Sequence, residues 1–105
     1  NLQAIEALIA LLSSTQNEDT RRLAVESLGE IGKGNLQAIE ALIARLRTSE
    51  LVSRRRQAAQ ILKKIGKDSP KAIEKLRKIL HVTQSEYTRF LVYEILEIIE
   101  SVQKY

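Results

Sequence analysis

Asn1-Leu2-Gln3-Ala4-Ile5-Glu6-Ala7-Leu8-Ile9-Ala10 recurs without change as Asn35-Leu36-Gln37-Ala38-Ile39-Glu40-Ala41-Leu42-Ile43-Ala44, a shift of 34 residues. Self-similarity at a fixed period decides the fold before any local reading, because each copy is one supersecondary unit that needs its neighbours to bury its apolar face. Ile31-Gly32-Lys33 returns at the same shift as Ile65-Gly66-Lys67. A second shift sets Ala72-Ile73-Glu74 beneath Ala38-Ile39-Glu40, and Leu76 beneath Leu42, without a gap. The chain reads as three units, Asn1 to Gly34, Asn35 to Asp68 and Ser69 to Tyr105.

Two helical patterns lie in each unit. In the first, Ala4, Ile5, Leu8, Ile9, Leu11 and Leu12 follow the three-and-four spacing of one helix face. After the polar stretch Ser13-Ser14-Thr15-Gln16-Asn17, which offers good N-caps, a second pattern runs through Leu23, Ala24, Leu28 and Ile31. Gly32-Lys33-Gly34 and Gly66-Lys67-Asp68 are expected to close the second helices through the left-handed backbone that glycine tolerates. Pro70 falls in the first turn of the next helix, where its missing N–H is no loss. The third unit lacks the glycine pair and carries Glu97 and Glu100 instead, so its last helix is expected to run on towards Gln103. The expected fold is all-α, an α–α superhelix of three helical hairpins stacked as a solenoid in a single domain.

Composition agrees and removes whole classes of function. With 105 residues, 44% hydrophobic and 29% charged, the chain is one packed domain and too apolar for disorder. Aromatics make up only 4%, and Ala, Leu, Glu, Lys and Arg, all good helix formers, dominate. Cysteine is absent, which excludes disulfides, thiolate metal sites and cysteine nucleophiles. No apolar run approaches the roughly 18 residues that span a bilayer, and no basic-then-apolar leader opens the sequence. A cytoplasmic location with no membrane association is the expectation. The lack of any Met and the opening on an amphipathic pattern read as a piece of a longer protein.

The second helices separate two repeat families of similar period. A tetratricopeptide pattern needs a Trp, and none is present. Asp19, Arg21, Ala24, Leu28, Gly29, Ile31 and Gly32 instead resemble the acidic-then-Arg start and Ala-Leu-Gly-x-Ile-Gly ending of HEAT-like repeats of the phycobilisome-lyase type. Asn-x-x-Ala-Ile-x-Ala-Leu-Ile followed by Ser-Thr-Gln-Asn-Glu-Asp-Thr-Arg-Arg looks like the HEAT arrays of cyanobacterial proteins, many of which form the C-terminal sensing half of NACHT-domain signalling NTPases. The resemblance covers the whole chain and is one of scaffold, since repeat families share architecture more than ligands.

No constellation for catalysis is present. His81 is the single histidine and has no second ligand at metal spacing, and the glycines form neither a phosphate loop nor a dinucleotide motif. The expectation is a non-enzyme without cofactor or metal. Arg21, Arg55 and Arg89 occupy the same place in successive units, so stacking sets them in a column, with Asp19, Glu50 and Glu86 as expected partners. This column reads either as a structural ladder or as a ligand-facing basic strip. The second unit carries eight Lys and Arg against three acids, a net +5, while the first stands at −2 and the third at +1. Arg54-Arg55-Arg56 opens a helix, where positive charge opposes the dipole unless an anion compensates.

The last helix is the other departure. Phe90 stands where the earlier units have Arg22 and Arg56, and Ile98 where they have Glu30 and Lys64. With Tyr87, Leu91, Tyr93, Ile95 and Val102, its apolar surface exceeds one stripe. A terminal unit ordinarily turns a polar face outward, so a further segment, another domain or a second copy is expected to cover it.

The leading expectation is a protein-interaction or scaffolding module, the sensing or partner-binding part of a larger signalling protein. Its candidate surface comprises Arg21, Arg54, Arg55, Arg56, Arg89, Phe90, Tyr93 and Ile98. Association as a homodimer, or docking within the parent protein, would run through the last helix. A nucleic-acid binder using the basic strip is an alternative, disfavoured because no aromatics are interleaved for base stacking. An auxiliary subunit of a bilin lyase is the other, which the resemblance implies without naming bilin-holding residues.

Overall fold

The structure, a computed structural model, describes residues 2–67 and 69–103, with side chains described for 3–67 and 69–100. The unit boundaries expected at Asn1, Asp68 and Tyr105, and the apolar contribution of Val102, lie outside these. Among the described residues the chain is entirely helix and short connections, in the order α1 (Leu2–Ser14), α2 (Glu18–Ile31), α3 (Leu36–Thr48), α4 (Val52–Ile65), α5 (Pro70–Val82) and α6 (Glu86–Gln103).

Short polar side chains start most of these helices by accepting a backbone N–H that has no intrahelical partner. Asn17 accepts from Thr20 at 3.0 Å, Asn35 from Ala38 at 2.9 Å and Ser85 from Thr88 at 3.1 Å. Ser69 accepts from Ala72 at 3.1 Å, with Pro70 at the first helical position. Helix α4 differs, since Leu51 stands at its N-cap and makes no side-chain cap.

Each odd-numbered helix packs on the even-numbered helix that follows it, α2 packs on α4 and α4 on α6, and α1, α3 and α5 form a second row. This is a stack of three helical pairs around one core. Ile5 and Leu28 of the first pair, Leu42 and Leu62 of the second, and Leu76 and Ile95 of the third are all fully buried in it. The shape, 34 × 29 × 18 Å, is that of a two-layer slab.

Three apolar positions differ from the sequence reading. Leu11, Leu23 and Ile31 are 37%, 64% and 41% exposed, whereas their counterparts in the third pair, Ile79, Leu91 and Ile99, are 3%, 2% and 0% exposed. The reason is positional. A Cβ built on Gly66 lies 3.7 Å from Ile99, and one on Gly32 lies 3.5 Å from Ile65, so this register position packs against the preceding pair. The first pair stands at the open end of the stack.

The helix-closing glycines also act differently from expectation. Gly32 and Gly66 have φ of −90° and −91°, outside the left-handed region. Among the described residues only Gly34, at φ 69°, adopts it. What Gly32 and Gly66 supply is room: a Cβ on Gly32 would stand 2.6 Å from the Leu28 carbonyl oxygen, and one on Gly66 2.9 Å from that of Leu62. Helix α6 does continue to Gln103.

Candidate interaction surface

The arginine column is built from one repeated hydrogen bond. Arg21, Arg55 and Arg89 each donate to the carbonyl oxygen six residues earlier, in the loop joining the two helices of their own pair. The acceptors are Thr15 at 2.8 Å, Ser49 at 2.6 Å and Thr83 at 3.0 Å. Charge-assisted bonds of this kind satisfy carbonyls left open at a helix end.

The expected carboxylate partners are replaced. Arg21, 6% exposed, pairs with Glu18 rather than Asp19. The second partner of Arg55 lies in the next pair, where Nη1 donates to Ser85 Oγ and Thr88 Oγ1, both at 3.4 Å. Arg55 thus ties its own loop to the first turn of α6.

The 34-residue shift places Leu51 and Arg54, which carry no hydroxyl, where the third pair has Ser85 and Thr88. The junction between the first two pairs instead uses Arg45, which sequence reasoning did not single out. Its guanidinium donates to the Leu12 carbonyl at 2.9 Å and to Ser13 Oγ at 3.2 Å, linking α3 back to α1. Burial, then the charges of Arg54 and Arg21, hold Arg45 below the ordinary arginine range. The one available signal was its column, where Arg45 interrupts the aliphatic pair Leu11 and Ile79.

Arg54 is half-buried in the first turn of α4, a turn with no acidic residue, and Arg56 just beyond that turn is exposed. The Nε atoms of Arg21, Arg45 and Arg54 are buried without a hydrogen-bond partner. Cations therefore crowd this junction, and the helix dipole adds to their repulsion.

The apolar candidates lie on the last helix. Phe90, Tyr93 and Ile98 are 54%, 57% and 38% exposed. At about 100° per residue, Tyr93 and Ile98 flank Phe90 on the outward half of α6, about 140° apart, with Glu94 and Glu97 between them. Phe90 stacks on Tyr87 with ring centroids 6.3 Å apart. Behind them Ile95 and Ile99 are fully buried, so a rooted helix carries this strip. The arginine column and the strip are distinct features: Arg21, Arg55 and Arg89 hold loops, while Phe90, Tyr93 and Ile98 face outward.

A groove of about 790 Å³ between α5 and α6 borders the strip, with Leu80, Tyr93 and Leu96 among its lining residues. Among the described residues no three His, Cys, Asp or Glu side chains come together in a metal-binding group. No described helix is long and apolar enough to cross a membrane.

A sequence profile for a family described as HEAT repeats matches residues 5–97. Comparison with curated proteins and with solved structures returned no match.

Proposed function

The chain belongs to the HEAT repeat family, and on that premise we propose that it is a protein-interaction module that binds through the outward face of α6. One observation carries the reading: Phe90, Tyr93 and Ile98 are exposed on a helix whose other side is locked into the core. Fully burying a Phe or Ile side chain is worth roughly 1.5–3 kcal/mol, and water-exposed clusters of this kind mark interaction sites. The occupant is a second copy of the chain or another segment of a parent protein. The resemblance of Asn35 to Ile43 and of the Asp19 to Gly32 stretch to cyanobacterial arrays supports placement in a larger signalling protein.

Sedimentation velocity tests the self-association arm, using the unaltered chain and Phe90→Glu combined with Ile98→Lys. A shift from dimer to folded monomer supports it. A chain already monomeric at all concentrations, and unchanged by the substitutions, contradicts it.

The second reading, nucleic-acid binding, is favoured by the start of α4, which has no side-chain cap and no acid in its first turn and carries Arg54, Arg55 and Arg56 in succession. The orientation of Arg55 counts against it, since its guanidinium is engaged with Ser49, Ser85 and Thr88. Salt-sensitive retention on DNA, lost with Arg54→Ser plus Arg56→Ser, would favour it. Absorbance after incubation with a bilin tests the lyase-subunit alternative.

A further inference from the structure

The two junctions of the stack are built from different chemistry. Between the second and third pairs, Arg55 Nη1 donates to Ser85 Oγ and Thr88 Oγ1, both at 3.4 Å. Between the first and second pairs the repeat sets Arg21 in the place of Arg55, and Leu51 and Arg54 in the places of the two hydroxyl residues. Two acceptors are lost there, and a cation stands where Thr88 faces Arg55. A third guanidinium joins from α3. Arg45 donates to the Leu12 carbonyl and Arg21 to that of Thr15, three residues further along the chain. Arg45 is held low by burial and then by the charges of Arg54 and Arg21, so the three lie within one another's fields.

Little on the chain answers this charge. Glu18 is the one carboxylate paired with any of the three among the described residues, through Arg21. Asp19 and Glu50 are exposed and pair with none of them. The Arg54 guanidinium has no hydrogen-bond partner among the described residues, and the bare start of α4 adds its positive potential. The buried side-chain atoms that lack a partner gather in the same place: the Nε atoms of Arg21, Arg45 and Arg54, and Gln57 Oε1. Gln57 shares a column with Leu23, 64% exposed with no pair before it, and Leu91, 2% exposed with one, so it faces the first pair. Unpartnered buried polar groups are rare, and several together call for a water or an ion. Water satisfies donors and leaves three guanidiniums against one carboxylate. An oxyanion answers both, and the guanidinium fork matches phosphate oxygens.

We propose that the junction between the first two pairs binds a phosphate dianion, free or as the monoester group of a small molecule, with Arg54 and Arg45 as its donors. Arg54 offers its whole outer fork, and Arg45 the Nη hydrogens not used on Leu12 and Ser13. Arg21, 6% exposed and engaged with Thr15 and Glu18, stands behind them as fixed charge. The bound group ties α3 to the start of α4 beside the end of α1, doing for the first junction what Ser85 and Thr88 do for the second. This site goes beyond the α6 reading and needs neither Phe90 nor a second copy.

The test follows the thermal midpoint of the full chain at about pH 8, where phosphate and its monoesters are dianions. Inorganic phosphate and phenyl phosphate are titrated in the millimolar range against sodium chloride of equal ionic strength. A saturable rise of at least about 3 °C beyond the chloride control is expected. Whether inorganic phosphate, phenyl phosphate or both produce it tells a free ion from an esterified group. Arg54→Thr places in α4 the residue found at Thr20 and Thr88, so the variant is expected to fold and to lose that rise. Arg47→Ser, at an exposed cation of α3, is expected to keep it. A rise matched by chloride, one that persists in Arg54→Thr, or one lost equally in Arg47→Ser overturns the proposal. None of these outcomes touches the α6 reading, which is judged by Phe90→Glu plus Ile98→Lys.

Discussion

Arg55 Nε donates to the carbonyl oxygen of Ser49 at 2.6 Å, across the loop between α3 and α4, while its Nη1 reaches the first turn of α6. One guanidinium therefore closes a loop and joins two repeats. Hydrogen bonds to a charged group contribute about 1.5–3 kcal/mol. Arg55→Ala is expected to destabilise the chain by that amount. Each kcal/mol lowers the thermal midpoint by about 4–8 °C in a domain of this size. Calorimetry checks the shift. Arg55→Lys should recover only part of it, because lysine lacks the fork that serves two acceptors at once.

Gly66→Ala is expected to destabilise as well, against the ordinary propensity order in which alanine favours helix. A Cβ there meets the Leu62 carbonyl at 2.9 Å, and that backbone atom cannot turn aside as a side chain would. A cost of about 1–3 kcal/mol, typical of overpacking, should appear in urea denaturation. No loss of stability would show that the helix end relaxes freely.

Leu51 is 53% exposed and caps nothing at the start of α4. Leu51→Asp supplies both a cap for the first-turn N–H groups and a carboxylate near Arg54, Arg55 and Arg56. A gain of about 0.5–2 kcal/mol is expected. An unchanged or lower midpoint would mean that the side chain of Leu51 contributes more by packing than its exposure suggests.

Arg54→Thr restores the residue type found at Thr20 and Thr88 and removes one of three clustered cations. Stability of the unaltered chain is expected to rise between low and moderate salt, as screening weakens the repulsion among Arg21, Arg45 and Arg54. Arg54→Thr should raise stability at low salt and flatten that dependence. A salt response identical in the two proteins would place the sensitivity elsewhere.

The period made the architecture legible. The repeated decamer, the cap at Asn17 and the long last helix all follow from local rules that agree with one another. Leu23 and Ile31 were misplaced because periodicity reports a face and is silent on whether a neighbour covers it. Arg45 escaped notice because its main acceptor is the Leu12 carbonyl, and a backbone oxygen leaves no mark in a sequence. The pairing of Arg21 with Glu18 turns on a choice between adjacent carboxylates, Glu18 and Asp19, that only the helix geometry decides. The exposed strip on α6 was legible for a simple reason: Phe90 and Ile98 break columns that are charged in both earlier units.

The claim that the outward face of α6 is the binding surface is tested most directly by hydroxyl-radical footprinting read by mass spectrometry at low and high protein concentration. Phe90 and Tyr93 should label strongly in the dilute chain and lose labelling as the concentration rises, while Leu23, 64% exposed at the opposite end of the stack, should label equally at both. Weak labelling of Phe90 and Tyr93 in the dilute chain, or protection that falls on Leu23 instead, would contradict the account.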